Sequence, residues 1–203
     1  MFGIYKKSIF IHYVTLLSGV FGTFCAFSHH PKYAIVFLMI SAAVGTLGSA
    51  FFSDVDSTFT ERHFNLLFKS LTKLVCFGIL PVAIGYALGL NNFFAFLLFA
   101  LYILASVIKL SHTSTLYTTR LMNAKDYNYH IGIPMEYTSL IFPFAYAISC
   151  FAANALVVYP VFIVLTIIAM MLKIKIPKAS QTALIIIGAI GILEFILMLY
   201  ANM

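Results

Sequence analysis

The chain has 203 residues, of which 63% are hydrophobic and 9% are charged, and its mean hydropathy is +1.04. A water-soluble domain carries about 25% charged residues, so this composition excludes one and predicts an integral membrane protein. The formal net charge is +6. Because no soluble basic domain accompanies that charge, nucleic acid is excluded as a partner.

Apolar stretches alternate with short polar segments along the whole chain. A helix needs roughly 20 mainly apolar residues to cross a bilayer. Seven stretches meet this requirement, at 9–27, 33–52, 71–90, 93–111, 138–154, 156–172 and 182–200. Since no linker, low-complexity segment or internal repeat interrupts them, the sequence predicts one all-α transmembrane domain over residues 1–203, a polytopic helical bundle.

The cations indicate the orientation of this bundle, because Lys and Arg in short loops favour the cytoplasmic side. With the N-terminus inside, every Lys and Arg except Lys32 falls on or near a cytoplasmic segment. Two cytoplasmic loops, 53–70 and 111–137, are then expected to cover one mouth of the bundle. This one-sided basic face suits anionic lipid headgroups or phosphorylated ligands.

The segment from Phe68 to Pro81 carries Lys69 and Lys73 at a spacing of four residues. It resembles a signature of bacterial and archaeal phosphatidylserine synthases, which belong to the CDP-alcohol phosphatidyltransferase family. The resemblance implies the six-helix core of that family, to which the last apolar stretch adds a seventh, C-terminal span. Further collinear similarities extend it over nearly the full length, at 6–10, 15–22, 100–110, 130–134 and 170–178.

The family motif contains four aspartates, and most of them are replaced here. The resemblance implies that these carboxylates bind divalent metal against the diphosphate of CDP-diacylglycerol, while the last one deprotonates the attacking hydroxyl. Asp54 and Arg62 match the first aspartate and the motif arginine, whereas Ser57, Lys69 and Lys73 stand at the other three aspartate positions. Losing three carboxylates removes the ligands that a hard cation prefers. The sequence therefore predicts no metal, no other cofactor and no catalytic residue; Mg or Mn would be needed only if transferase activity remained.

The residues that replace the motif favour direct contact with phosphate, because an ammonium group is a point charge that meets phosphate without a metal. Lys109 and His112 occupy positions of two family arginines to which the resemblance assigns phosphate contact. An alternative stays open for the lysines, which at helix ends commonly extend to lipid headgroups as simple anchors. The candidate ligand-binding residues are Asp54, Arg62, Lys69, Lys73, Lys109 and His112.

Other polar residues in the apolar stretches are expected to be structural. Cys25, Cys76 and Cys150 have no metal or disulfide spacing and are interpreted as small core residues. His12 is interpreted as a core or interfacial residue. Glu194 is expected to be protonated or bonded to a neighbouring helix, since an acid within a span is costly.

Three functions remain open at the level of sequence. The leading hypothesis is a pseudoenzyme of phospholipid metabolism, which binds an anionic phospholipid or a CDP-diacylglycerol-like ligand, or partners an active synthase. The resemblance also implies a homodimer, and a heterodimer with an active relative would suit a degenerate copy. The first alternative is an active CDP-diacylglycerol-dependent phosphatidyltransferase. The second is a small lipid or solute transporter, which the lack of an inverted repeat or broken helix disfavours.

Overall fold

A computed structural model describes residues 7–51, 58–123, 129–152, 155–172, 174–177 and 188–196. Within these ranges the chain is helical apart from short turns and two three-residue strands. The helices are α1 (Lys7–Phe27), α2 (Pro31–Phe51), α3 (Phe59–Lys73), α4 (Leu80–Ala87), α5 (Phe93–Asn123), α6 (Thr138–Ala152) and α7 (Ala155–Met171). Residues 188–196 form a last helical segment.

Among the described residues, three helical segments are long and apolar enough to cross a membrane, namely Ile9–Phe27, Thr60–Ala87 and Phe93–Thr119. Two shorter apolar helices, Pro31–Thr46 and Leu156–Met171, accompany them. The described part of the chain thus fits a membrane protein, as its composition predicts. The stretch expected at 182–200 is described only over its middle nine residues.

The two expected loops are partly helical, and to that extent the loop prediction is wrong. Thr58 caps α3: its hydroxyl accepts from the Glu61 N–H at 3.4 Å, and the Glu61 carboxylate accepts from the Thr58 N–H at 2.9 Å. This reciprocal capping box starts the helix well before residue 70. On the other side, α5 continues to Asn123. Both helices therefore extend into the segments that were expected to be loops.

A π-helical turn, Leu74–Ile79, joins α3 to α4 and makes them one continuous helix. Pro81 has no N–H, so it cannot donate to the Phe77 carbonyl one turn earlier. The Tyr102 hydroxyl of α5 supplies that hydrogen bond at 2.7 Å, and the Tyr159 hydroxyl of α7 donates to the Pro81 carbonyl at the same distance. Both tyrosines are fully buried, and their rings contact Phe142 of α6. These contacts hold α5, α6 and α7 against the irregular turn.

Helix α1 packs closely and in parallel against the same turn. The Cys76 thiol donates to the Thr15 carbonyl at 3.4 Å, and a Cβ at Gly19 would overlap the Cys76 sulfur. One turn further along, a Cβ at Gly22 would lie 3.0 Å from a Leu80 methyl carbon. Small residues on α1 thereby let its backbone approach the π-helical turn and α4, as is common in membrane bundles.

A two-stranded antiparallel pair closes one end of the bundle. Strand β1 (Tyr129–Ile131) pairs with β2 (Lys175–Pro177), with Tyr129 opposite Pro177. The Gly132 N–H extends the pairing to the Ile174 carbonyl at 2.7 Å, and Gly132 takes a positive φ of 69°. The segment before α6 is thus tied to the segment after α7. No strand was expected from the sequence, but this pair positions the turn that carries Glu136.

The cysteines and Glu194 differ in their surroundings. Cys76 is buried and Cys25 is half-buried, whereas Cys150 is exposed, so its assignment to the core is wrong. None of the three forms a disulfide.

Glu194 is buried, and its Oε2 has no hydrogen-bond partner among the described residues. Its helical segment lies beside α6, because a Cβ at Gly191 would contact Leu140.

A candidate anion site around Glu136

Lys69 and Lys73 lie one turn apart on α3 and line the same small cavity, so they share a helix face as their spacing predicts. The cavity has a volume of about 20 Å³. It lies between α1, α2, α3 and the turn before α6. Its lining residues are His12, Thr15, Ala42, Gly45, Thr46, Lys69, Thr72, Lys73, Phe77 and Glu136.

Lys73 forms an ion pair with Glu136, and the two side chains are 21% and 28% exposed. Glu136 lies in a short 3₁₀ turn, Met135–Tyr137, directly before α6. Ser139 donates its hydroxyl to the Glu136 carbonyl at 2.6 Å, and Thr138 donates to the Met135 carbonyl at 2.7 Å. Because Met135 and Thr138 are buried, the turn is anchored and its carboxylate is held toward α3.

The charges around Glu136 keep it ionised. Burial by itself raises the pKa of Glu136, but the Lys73 ammonium, through its charge and its hydrogen bond, and the Lys69 ammonium outweigh burial and lower the pKa to about 2. At neutral pH the turn therefore presents a full negative charge to α3.

Lys109 approaches Glu136 from α5 and is only 7% exposed. A Cβ built on Gly132 would lie 2.8 Å from the Lys109 Nζ, 2.9 Å from the Leu172 carbonyl oxygen and 3.0 Å from the Met170 carbonyl oxygen. The ammonium thus lies at the C-terminal end of α7, where terminal carbonyl groups favour a cation. It also interacts with the charge of Glu136. We call Lys69, Lys73 and Lys109 the cationic cluster.

The other predicted site residues lie apart from the cavity or outside the described chain. Arg62 is exposed in the first turn of α3, and His112 is exposed on α5 one turn beyond Lys109. Neither lines the cavity. Asp54 lies outside the described residues. The structure therefore brings Lys69 and Lys73 to the cavity and Lys109 into the field of Glu136, whereas Arg62 and His112 do not line the cavity.

Sequence reasoning missed three residues of the site. It placed Glu136 in a loop without a role, treated His12 as a generic buried histidine and passed over Thr72. Thr72 is 2% exposed, and its hydroxyl has no hydrogen-bond partner in the part of the chain that the structure describes. It follows Lys69 by three residues, so helical periodicity was a usable signal for Thr72. No spacing in the sequence connects Glu136 or His12 to α3.

The charges of the cavity do not fit a divalent cation. Two ammonium groups line it, and its carboxylate is already paired with one of them. A hard cation prefers several carboxylate or carbonyl oxygens, and it is repelled by nearby positive charge. Within the described ranges no three His, Cys, Asp or Glu side chains converge. The motif positions Asp54 and Ser57 lie outside those ranges.

No model of a known protein family matches this chain, and a search of curated proteins finds no match either.

Proposed function

We propose that this chain is a CDP-alcohol phosphatidyltransferase-like membrane protein of the phosphatidylserine synthase type that lacks the family's catalysis and binds the phosphate of an anionic phospholipid. One observation carries the proposal. Lys69 and Lys73, at two positions where the resemblance implies metal-binding or basic aspartates, share one small cavity with Glu136. A site with two ammonium groups attracts phosphate directly, and lysine stands where the resemblance implies the aspartate that deprotonates the alcohol.

The proposed architecture is the six-helix core of the family with a seventh span at the C-terminus and the N-terminus in the cytoplasm. The distribution of cations supports this orientation. The cationic cluster lies at one end of the bundle, whereas Lys32 lies near the opposite end, just after His29. The His29 ring contacts Tyr86, more than three turns along the helix from Lys73. Segregation of lysines to one end is what the positive-inside tendency produces.

The size of the cavity constrains where a lipid binds. About 20 Å³ accommodates roughly one water molecule, so a headgroup does not enter it. The phosphate instead meets Lys69 and Lys73 at the rim, where both side chains are partly exposed.

Lipid retention on the purified full chain tests the binding. Native mass spectrometry compares the parent with Lys69→Gln plus Lys73→Gln, in the presence of an anionic phospholipid and EDTA. The double variant is expected to lose most of the retained lipid, while Lys32→Gln, which removes one charge from the other end, retains it. Equal retention by the parent and the double variant would assign both lysines to simple membrane anchoring.

A separate assay tests the lack of catalysis. The protein is incubated with CDP-diacylglycerol, magnesium or manganese, and serine, inositol or glycerol phosphate, and CMP is measured. We expect no CMP above the blank. CMP production that EDTA abolishes would make the protein an active phosphatidyltransferase.

The resemblance also supports a dimer, formed with a second copy or with an active relative. The mass of the intact complex measures this directly.

A further inference from the structure

Thr72 carries a buried hydroxyl that does not bond to its own helix. The residue is 2% exposed, and its hydroxyl has no hydrogen-bond partner among the described residues. A threonine inside a helix can donate to the carbonyl one turn earlier. Two comparably buried threonines do so, since Thr15 of α1 donates to the Ile11 carbonyl at 2.9 Å and Thr166 of α7 donates to the Phe162 carbonyl at 2.7 Å. The Thr72 hydroxyl is left as a donor that needs an acceptor.

Thr72 lines the cavity together with Lys69 and Lys73. The three residues are spaced three and four positions apart, so they share one face of α3. A volume of about 20 Å³ accommodates roughly one water-sized group. A single phosphate oxygen is of that size, and in so small a space it contacts the side chains that line it. The Lys73 and Glu136 side chains are 21% and 28% exposed, so the cavity reaches the surface on their side.

The charges that line the cavity suit a singly charged anion. Lys69 and Lys73 stand against the one carboxylate of Glu136, which leaves one positive charge. Lys109 does not line the cavity, and its ammonium lies beside the carbonyls that end α7. A phosphodiester carries one negative charge, and its free oxygens only accept hydrogen bonds. Ammonium and hydroxyl groups supply the donors that such an oxygen requires.

We propose that the Thr72 hydroxyl is a third phosphate-binding group of this site. One phosphate oxygen enters the cavity and accepts from Thr72 and Lys69, while the rest of the phosphate stays at the rim beside Lys73. The inference rests on the proposed lipid binding and adds a residue to it. It also gives the buried hydroxyl an acceptor, because a lipid phosphate brings to the cavity the oxygen that α3 does not provide.

The test removes this hydroxyl and keeps the shape of the side chain. Phosphatidylglycerol is titrated into the full chain in EDTA, and its retention is measured by native mass spectrometry. Thr72→Val should bind the lipid about tenfold more weakly, since it loses a hydrogen bond to a charged group. Without lipid, its melting temperature should equal or exceed that of the parent, because valine removes a buried hydroxyl that has no partner. Thr72→Ala carries the same expectation for lipid binding if the valine variant does not fold.

Thr15→Val is the matched control, because Thr15 lines the same cavity but its hydroxyl already donates to the Ile11 carbonyl. This variant should bind phosphatidylglycerol within about twofold of the parent. Equal binding by the parent and Thr72→Val would overturn the role of Thr72 and leave the proposed lipid binding intact. A parent that retains no lipid would overturn both proposals.

A further arm distinguishes a lipid phosphate from a free one, since both offer the same oxygens. Inorganic phosphate is added in excess to the parent that holds phosphatidylglycerol. Retention of the lipid supports a lipid phosphate as the group that Thr72 binds. Complete displacement would overturn the lipid as the source of the oxygen in the cavity.

Discussion

The Lys73 ammonium and the Glu136 carboxylate form an ion pair between α3 and the turn that precedes α6. The pair connects the segment that resembles a catalytic signature with a turn far along the chain. Since both side chains are less than one-third exposed, solvent screens the pair only in part. The ion pair therefore holds Lys73 toward the cavity and gives the site a fixed negative charge.

A double-mutant cycle measures this pair. Lys73→Met and Glu136→Gln each leave a partly buried charge without its partner, so each should lower the free energy of unfolding in detergent by about 1–2 kcal/mol. The double variant should lose less than the sum, with a coupling energy of about 0.5–1.5 kcal/mol. Lys32→Met, at the opposite end, is the control for loss of one lysine. If the losses of the two single variants simply add in the double variant, the ion pair contributes nothing to stability.

The acid dependence of stability should report Glu136. Its folded-state pKa of about 2 lies below the usual 4.5, so its contribution is fully present above pH 4.5 and is lost as the pH falls toward 2. The melting temperature of the parent should therefore decline more steeply than that of Glu136→Gln between pH 4.5 and 2. Parallel curves for the two proteins across that window would contradict the depressed pKa.

The Tyr102 hydroxyl should contribute to stability, because it donates a hydrogen bond to the Phe77 carbonyl, which Pro81 leaves without a backbone donor. Tyr102→Phe should destabilise the protein by about 1–3 kcal/mol, since a buried carbonyl loses its bond. Tyr86→Phe removes the same atom from an exposed ring and should cost little. Pro81→Ala restores an N–H one turn after Phe77. In the Pro81→Ala background, Tyr102→Phe should therefore lower the free energy of unfolding by less. An equal loss in both backgrounds would show that the Tyr102 hydroxyl does not replace the missing Pro81 N–H.

Close packing of α1 is tested at Gly19. Gly19→Ala places a methyl group on the Cys76 sulfur, so it should destabilise the bundle by about 1–3 kcal/mol. Cys76→Ala removes that sulfur and should recover part of the loss in the double variant. Gly188→Ala adds the same methyl where no packing neighbour lies within 4 Å, and it should not destabilise the protein. A neutral Gly19→Ala would mean that α1 and the π-helical turn are further apart than described.

Local features of the site were accessible from the sequence. The capping box at Thr58 and Glu61 is a pattern that can be read directly, although the expected loop over 53–70 overlooked it. The spacing of Lys69 and Lys73 places both on one face of a helix, whatever the rest of the chain does. The resemblance to phosphatidylserine synthases also rests on sequence, and it stays a prediction with the function that it implies.

Apolar stretches of near-membrane length determined the helices by themselves, because burial in lipid requires every backbone group to bond within its own segment. Tertiary packing decided the site. Glu136 meets Lys73 only because the turn before α6 packs against the π-helical turn that ends α3. Lys109 reaches the end of α7 because α5 packs against α7. Such contacts depend on the relative placement of helices, which the periodicity of any single helix does not encode. The sequence therefore specified where the positive charges stand along the chain, and the fold decided which negative charge they surround.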